Sequence, residues 1–123
     1  MAVRVMIVDD ALFMRNMLKE IMIKGGLEVV GEATNGVEAV ERYRDIRPDL
    51  VTMDIVMPLK SGIEALGEII HEFPEANIVM CSALGQEALV VEAVETGAKD
   101  FIVKPFKEEQ VLEIVRRIVT ASR

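Results

Sequence analysis

The sequence predicts an open, doubly wound α/β fold: five parallel strands in one sheet with helices on both faces. Three observations carry this. Short apolar, β-branched runs alternate five times with stretches whose apolar residues recur at helical spacing. The connections between them hold only a few residues, and parallel neighbours need helical crossovers, whose right-handedness lays helices on both sides of the sheet. The first, third and fourth runs are apolar throughout rather than alternating, as strands covered on both faces should be.

Strand one spans Val3 to Val8 and stops at the paired acids Asp9 and Asp10. Helix one follows from Ala11 to Lys24, with Leu12, Phe13, Met14, Met17, Leu18, Ile21 and Met22 as its apolar face and Gly25-Gly26 as its terminator. Glu28 to Ala33 forms strand two. Asn35-Gly36 turns the chain into a helix through Arg44, with Val37, Val40 and Tyr43 on one side, and Arg47-Pro48 punctuates its end. Strand three, Leu50 to Asp54, ends on a carboxylate, and Pro58 prevents its extension because proline has no N–H to donate. Ser61-Gly62 opens helix three, where Ile63, Leu66, Ile69, Ile70 and Phe73 make the buried stripe, and Pro74 closes it. Ile78 to Cys81 is strand four, finishing at Ser82. The fourth helix runs from Gln86 to Thr96 and is capped by Gly97; Asp100 to Val103 is strand five, closed by Lys104-Pro105; Lys107 to Ala121 is the last helix.

A length of 123 residues fits one domain, residues 1–123, with a core large enough to need neither disulfide nor metal staple. A net charge of −7 argues against nucleic acid as a partner, since affinity for a phosphate backbone comes from lysine and arginine. The N-terminus enters a strand at once, without a signal peptide, and no apolar run reaches the eighteen or so residues of a membrane span. A cytoplasmic protein without a membrane partner is expected. Cys81 reads as a small buried hydrophobe, and His71 as a solvated residue on the polar side of helix three.

The residues that end the strands are the informative ones. Asp9 and Asp10, Asp54, Ser82 and Lys104 all fall at strand C-termini, on the sheet edge that opens onto the ligand crevice in parallel α/β folds. Two carboxylates about 5 Å apart at an effective dielectric near 20 repel by roughly 3 kcal/mol, so three together call for a cation. An all-oxygen donor set suits Mg2+ rather than zinc. A carboxylate can also attack phosphorus when charge on the transferred oxygens is neutralised. On that reading Asp54 is the nucleophile, Asp10 with Asp9 in support holds the metal, and Lys104 and Ser82 face the phosphoryl oxygens. Taken singly each has a plainer explanation: Asp10 as the N-cap of helix one, Ser82 as a turn residue, Lys104 as a solvated amine. Their coincidence on one edge favours an acidic phosphotransfer site.

Val8-Asp9-Asp10, Met53 to Pro58, Ser82-Ala83 and Lys104-Pro105-Phe106, in this order, resemble the receiver domain of two-component response regulators over essentially the whole chain. The resemblance implies a flavodoxin-like sheet of order 2-1-3-4-5. It implies a phosphoryl group received by Asp54 from a histidine kinase, Mg2+ held by Asp10, Asp54 and the backbone carbonyl of Val56, and an aromatic switch at Phe101, which otherwise reads as a core residue of strand five. Ser61 stands where many receivers have Asp, and Phe101 where many have tyrosine. Asp10 to Arg15, Asn35-Gly36, Cys81 to Gln86 and Ala98 to Phe101 are further similar to stand-alone chemotaxis receivers, which implies a flagellar switch protein or other output protein as partner, and a phosphatase as a further one. A phosphoacceptor that assists its own phosphorylation and dephosphorylation, rather than an enzyme turning over external substrates, is the reading this supports.

Other functions meet specific obstacles. An aspartyl phosphatase usually carries a general acid two residues after its nucleophile, and that place is Val56. A flavin carrier needs a hydroxyl- and glycine-rich loop where Asp9 and Asp10 stand, and a transcription factor needs a DNA-binding domain beyond Arg123. A single-domain phosphorelay intermediate or phosphate sink stays open. Helix four is apolar around more of its circumference than one buried face requires, and helix five has Leu112 and Val119 beside its stripe; both fit either a broad core contact or a partner surface.

Overall fold

The five apolar runs and five helical stripes become ten elements in a computed structural model that describes residues 2–122. They are β1 (Arg4–Val8), α1 (Leu12–Lys24), β2 (Glu28–Ala33), α2 (Gly36–Ile46), β3 (Leu50–Asp54), α3 (Gly62–Glu72), β4 (Ile78–Ser82), α4 (Glu87–Thr96), β5 (Asp100–Val103) and α5 (Glu108–Ala121). Every strand pair is parallel, and the order is β2-β1-β3-β4-β5. The doubly wound α/β class and the strand order therefore match the expectation.

Alternation along the strands separates two core layers. Met6, Val8, Val51, Met53, Ile78 and Met80 face α2, α3 and α4, whereas Val5, Ile7, Leu50, Val79, Cys81 and Ile102 face α1 and α5. Burial of both faces is what keeps every residue of β3 and β4 buried. The hydroxyl of Thr52 is the exception to polar satisfaction, being buried without a partner among the described residues. No helix of the described residues is long and apolar enough to cross a membrane.

Several details differ from the sequence expectation. Helix α2 continues to Ile46 because Arg47 takes the left-handed conformation usually left to glycine (φ 49°) and donates its N–H to the Tyr43 carbonyl at 2.8 Å. The Arg47 guanidinium stacks 3.9 Å from the Phe73 ring centre, a tertiary contact that holds this stop in place. Leu12 and Phe13, assigned to the apolar face of α1, are exposed instead. They lie in the first turn, ahead of Leu18, Ile21 and Met22, which carry the buried contact of the helix. In α3, Leu66 and Ile69 are fully buried while Ile63, Ile70 and Phe73 pack at the margin of the core.

The apolar excess of the last two helices resolves in opposite ways. Leu112 of α5 is buried against Gly25, where a Cβ would come within 2.4 Å of its side chain, and Val119 packs at the core margin. In α4 only Ala93 is buried, and Val91 and Val94 are exposed. The broad-core explanation therefore holds for α5 and is overturned for α4, whose outer face is apolar surface.

Candidate functional site

Three carboxylates, an amine and a hydroxyl gather at the C-terminal edge because β1, β3, β4 and β5 all end there. Asp54 is the last residue of β3 and is 8% exposed; Asp9, just after β1, is 1% exposed; Asp10 is exposed. Ligand oxygens of all three lie within 4.8 Å of one another. Lys104, following β5, places its Nζ 3.2 Å from Asp9 Oδ2 and 3.4 Å from Asp54 Oδ2. Its own N–H donates to the Ser82 carbonyl at 2.8 Å, so the ends of β4 and β5 are tied together.

Asp9 is held at four points. Its N–H donates to the Ala33 carbonyl (3.1 Å), its carbonyl accepts from Arg15 Nη1 (2.8 Å), its Oδ1 accepts the Ala11 N–H (2.8 Å), and its Oδ2 faces Lys104. It is thus Asp9, not Asp10, that satisfies a donor at the start of α1. The N-cap of this helix is Ala11, with no side-chain cap. Asp10 makes no hydrogen bond or ion pair among the described residues and keeps both oxygens free for a ligand.

The loop after β3 is pressed against the phosphoacceptor candidate. The Gly62 N–H donates to the Ile55 carbonyl at 2.8 Å, and a Cβ at Gly62 would sit 1.9 Å from the Asp54 carbonyl oxygen. Ser61 starts α3 with a reciprocal capping box to Glu64, so the change from Asp to Ser there leaves the cap intact. The Lys60 carbonyl accepts the Gly36 N–H at 3.0 Å, pinning the loop to α2. Val56 lies within this loop with its side chain exposed.

Electrostatics follow from burial. Desolvation pushes Asp54 from 3.8 up to about 6, the Lys104 ammonium opposes this, and Asp9 adds to it. For Lys104, burial alone would lower the pKa, but the adjacent carboxylates of Asp54 and Asp9 outweigh it and hold the amine above its ordinary value. Burial pushes the Cys81 thiol up, which leaves this residue, paired in register with Asp54, inert as a nucleophile or ligand. His71 is exposed on α3, outside the acidic group. What remains is a hard oxygen set, one member free and one disfavoured as an unpaired anion, and this fits Mg2+.

Ser82 and Phe101 meet elsewhere on the same edge. Both line a cavity of about 320 Å³ with Leu84, Val90 and Val91. Ser82 is buried, and its hydroxyl is bonded to neither the acids nor Lys104; Phe101 is 40% exposed, so it is not the core residue that strand placement alone allows. Sequence reading passed over Arg15 and Glu32. Arg15 Nε donates to Glu32 at 3.1 Å while its Nη1 grips Asp9, and Lys19 lies 2.6 Å from the other Glu32 oxygen. The only signal was a cation inside the apolar stretch of α1.

Known proteins place this arrangement. The model of the response regulator receiver domain matches residues 5–116. The chain is 58% identical to the chemotaxis protein CheY of Thermotoga maritima, over 96% of this chain and 98% of that one. It is 56% identical to CheY of Bacillus subtilis, over 95% and 98% respectively. Among solved structures, that of the CheX-CheY-BeF3-Mg complex of Borrelia burgdorferi contains a chain that superposes with a TM-score of 0.90 at 39% identity, covering 94% of this chain and 88% of that one. The chain belongs to the response regulator receiver domains, phosphoacceptor signalling modules, and among them resembles those of chemotaxis.

Proposed function

We propose that Asp54 accepts a phosphoryl group from the phosphohistidine of a histidine kinase in a Mg2+-dependent reaction, and that the modified protein signals through the α4, β5 and α5 surface to a flagellar motor switch protein. The observation that carries this is the contact of Lys104 with both Asp54 and Asp9, beside an Asp10 that is free to bind a metal. Asp10, Asp54 and the Val56 carbonyl would hold Mg2+, with Asp9 in support. Bound there, the ion would supply positive charge against the phosphoryl oxygens. In the transfer, an Asp54 carboxylate oxygen forms the new P–O bond as the P–N bond to the donor imidazole breaks. The imidazole leaves with the bonding pair and takes up a proton. Lys104 neutralises a phosphoryl oxygen and the Ser82 hydroxyl donates to another, so the protein contributes to its own phosphorylation and dephosphorylation.

This reading takes residues 1–123 as one receiver domain acting in the cytoplasm. Movement of Ser82 toward the phosphoryl group opens room for the Phe101 ring in the adjoining cavity and reshapes the apolar face of α4, where Val91 and Val94 are exposed. Incubation with a small acyl phosphate and Mg2+, followed by intact mass, should show a gain of one phosphoryl. A gain that persists in Asp54→Asn, or that does not need Mg2+, overturns the assignment. Capture of the motor switch protein by the phosphorylated but not the unmodified form tests the output.

A further inference from the structure

The peptide that joins the two acids after β1 is held by one side chain. Its carbonyl, that of Asp9, accepts from Arg15 Nη1 at 2.8 Å, and Arg15 is aimed by Glu32, which takes its Nε at 3.1 Å. Glu32 is itself engaged by Lys19 at 2.6 Å, and its backbone carbonyl accepts from Arg42. The Arg15 side chain is only 12% exposed, so it is a packed strut rather than a waving surface cation. The Ala11 N–H to Asp9 Oδ1 bond closes a turn around the same peptide, but among the described residues only Arg15 holds its carbonyl oxygen. The plane of that peptide directs the bond from which Asp10 projects its free carboxylate.

We infer that Arg15, aimed by Glu32, is a positioning residue for Mg2+ binding, because it fixes the Asp9-Asp10 peptide and so holds Asp10 in place before the ion arrives. This rests on the reading of Asp10 and Asp54 as metal ligands. Charge and geometry make opposite demands here, which gives the inference a sign. Arg15 is a cation close to a cation site, so by Coulomb's law alone its removal strengthens Mg2+ binding, whereas loss of the positioning bond weakens it.

Arg15→Lys separates the two, since it keeps the charge but cannot serve Asp9 and Glu32 together as a guanidinium does. Titration of Mg2+ by calorimetry should give about a 10-fold weaker Kd for Arg15→Lys, the low end of what is lost when outer partners of metal ligands are removed. The Mg2+ concentration that gives half-maximal phosphorylation should rise by the same factor. Glu32→Gln should weaken Mg2+ in the same direction. Thermal unfolding in EDTA identifies a folded variant; if Arg15→Lys fails to fold, Glu32→Gln carries the test. A folded variant with unchanged Mg2+ affinity overturns the inference and leaves the site reading standing. A parent whose Mg2+ affinity is unaffected by Asp10→Asn overturns the site reading, and the inference with it.

Discussion

Lys104 and Asp54 are joined across the ends of β5 and β3, with Nζ 3.4 Å from Oδ2, although β4 lies between their strands. Among the described residues the amine is the only basic group bonded to the two buried acids through their carboxylates, so it offsets both the repulsion between Asp9 and Asp54 and the cost of burying them. Lys104→Met should destabilise the magnesium-free protein by about 1–3 kcal/mol at pH 7.5. The loss should shrink below about pH 6, where Asp54 becomes neutral and needs no counter-ion. Urea denaturation in EDTA across pH measures both.

Asp54 itself should act in the opposite sense. Its folded pKa is raised from 3.8 to about 6, so the folded state favours the protonated form. The stability it contributes is fully present below about pH 3.8 and is lost as pH rises through about 6. Asp54→Asn mimics the neutral form at every pH. In EDTA it should therefore be more stable than the parent by up to about 3 kcal/mol at pH 7.5, with the gain fading toward pH 4. A pH-independent difference would contradict this origin.

The close approach of Gly62 to the Asp54 carbonyl leaves no room for a methyl group, since a Cβ would lie 1.9 Å from that backbone oxygen. Gly62→Ala should cost about 3 kcal/mol and slow phosphorylation by displacing the end of β3. Gly67, five residues on in the same helix, has only ordinary contact with Thr96 at 3.6 Å. Gly67→Ala should be neutral or stabilise by up to about 1 kcal/mol, and chemical denaturation of the pair compares them directly.

Ser82→Ala should separate chemistry from output. The hydroxyl is bonded to none of the acids, so stability should change little, and loss of one donor to a phosphoryl oxygen should slow phosphoryl uptake at Asp54 without abolishing it. Phosphorylation-dependent binding of the output partner should fall by about tenfold, because the residue that links the phosphoryl group to the Phe101 cavity has lost its donor. Equal partner binding by phosphorylated Ser82→Ala and phosphorylated parent would exclude this route.

Much of the molecule is legible from local pattern. The bounds of β2, β3 and β5 follow from apolar runs closed by turn residues or charges, and the acids of β1 and β3 are visible as strand ends. Less local features are not. Arg47 as the stop of α2 depends on Phe73, and helical spacing alone does not tell that Leu12 and Phe13 stay exposed while Leu18, Ile21 and Met22 are buried. Helix periodicity reports which residues share a side but not what lies opposite, so the surplus apolar residues of α4 and α5 look alike in sequence and divide into surface and core only in the fold.

The sequence by itself determined the α/β class, the family and the five chemical groups at the strand ends, because strand termini and residue types are local properties and the motifs recur at set intervals. Only the tertiary structure decided how those groups divide the work. Asp9 is committed to Ala11, Arg15 and Lys104, Asp10 is left free, and Phe101 stands outward above a cavity shared with Ser82. Each of these depends on which distant side chains the sheet brings within hydrogen-bond reach, and spacing along one strand carries no record of that.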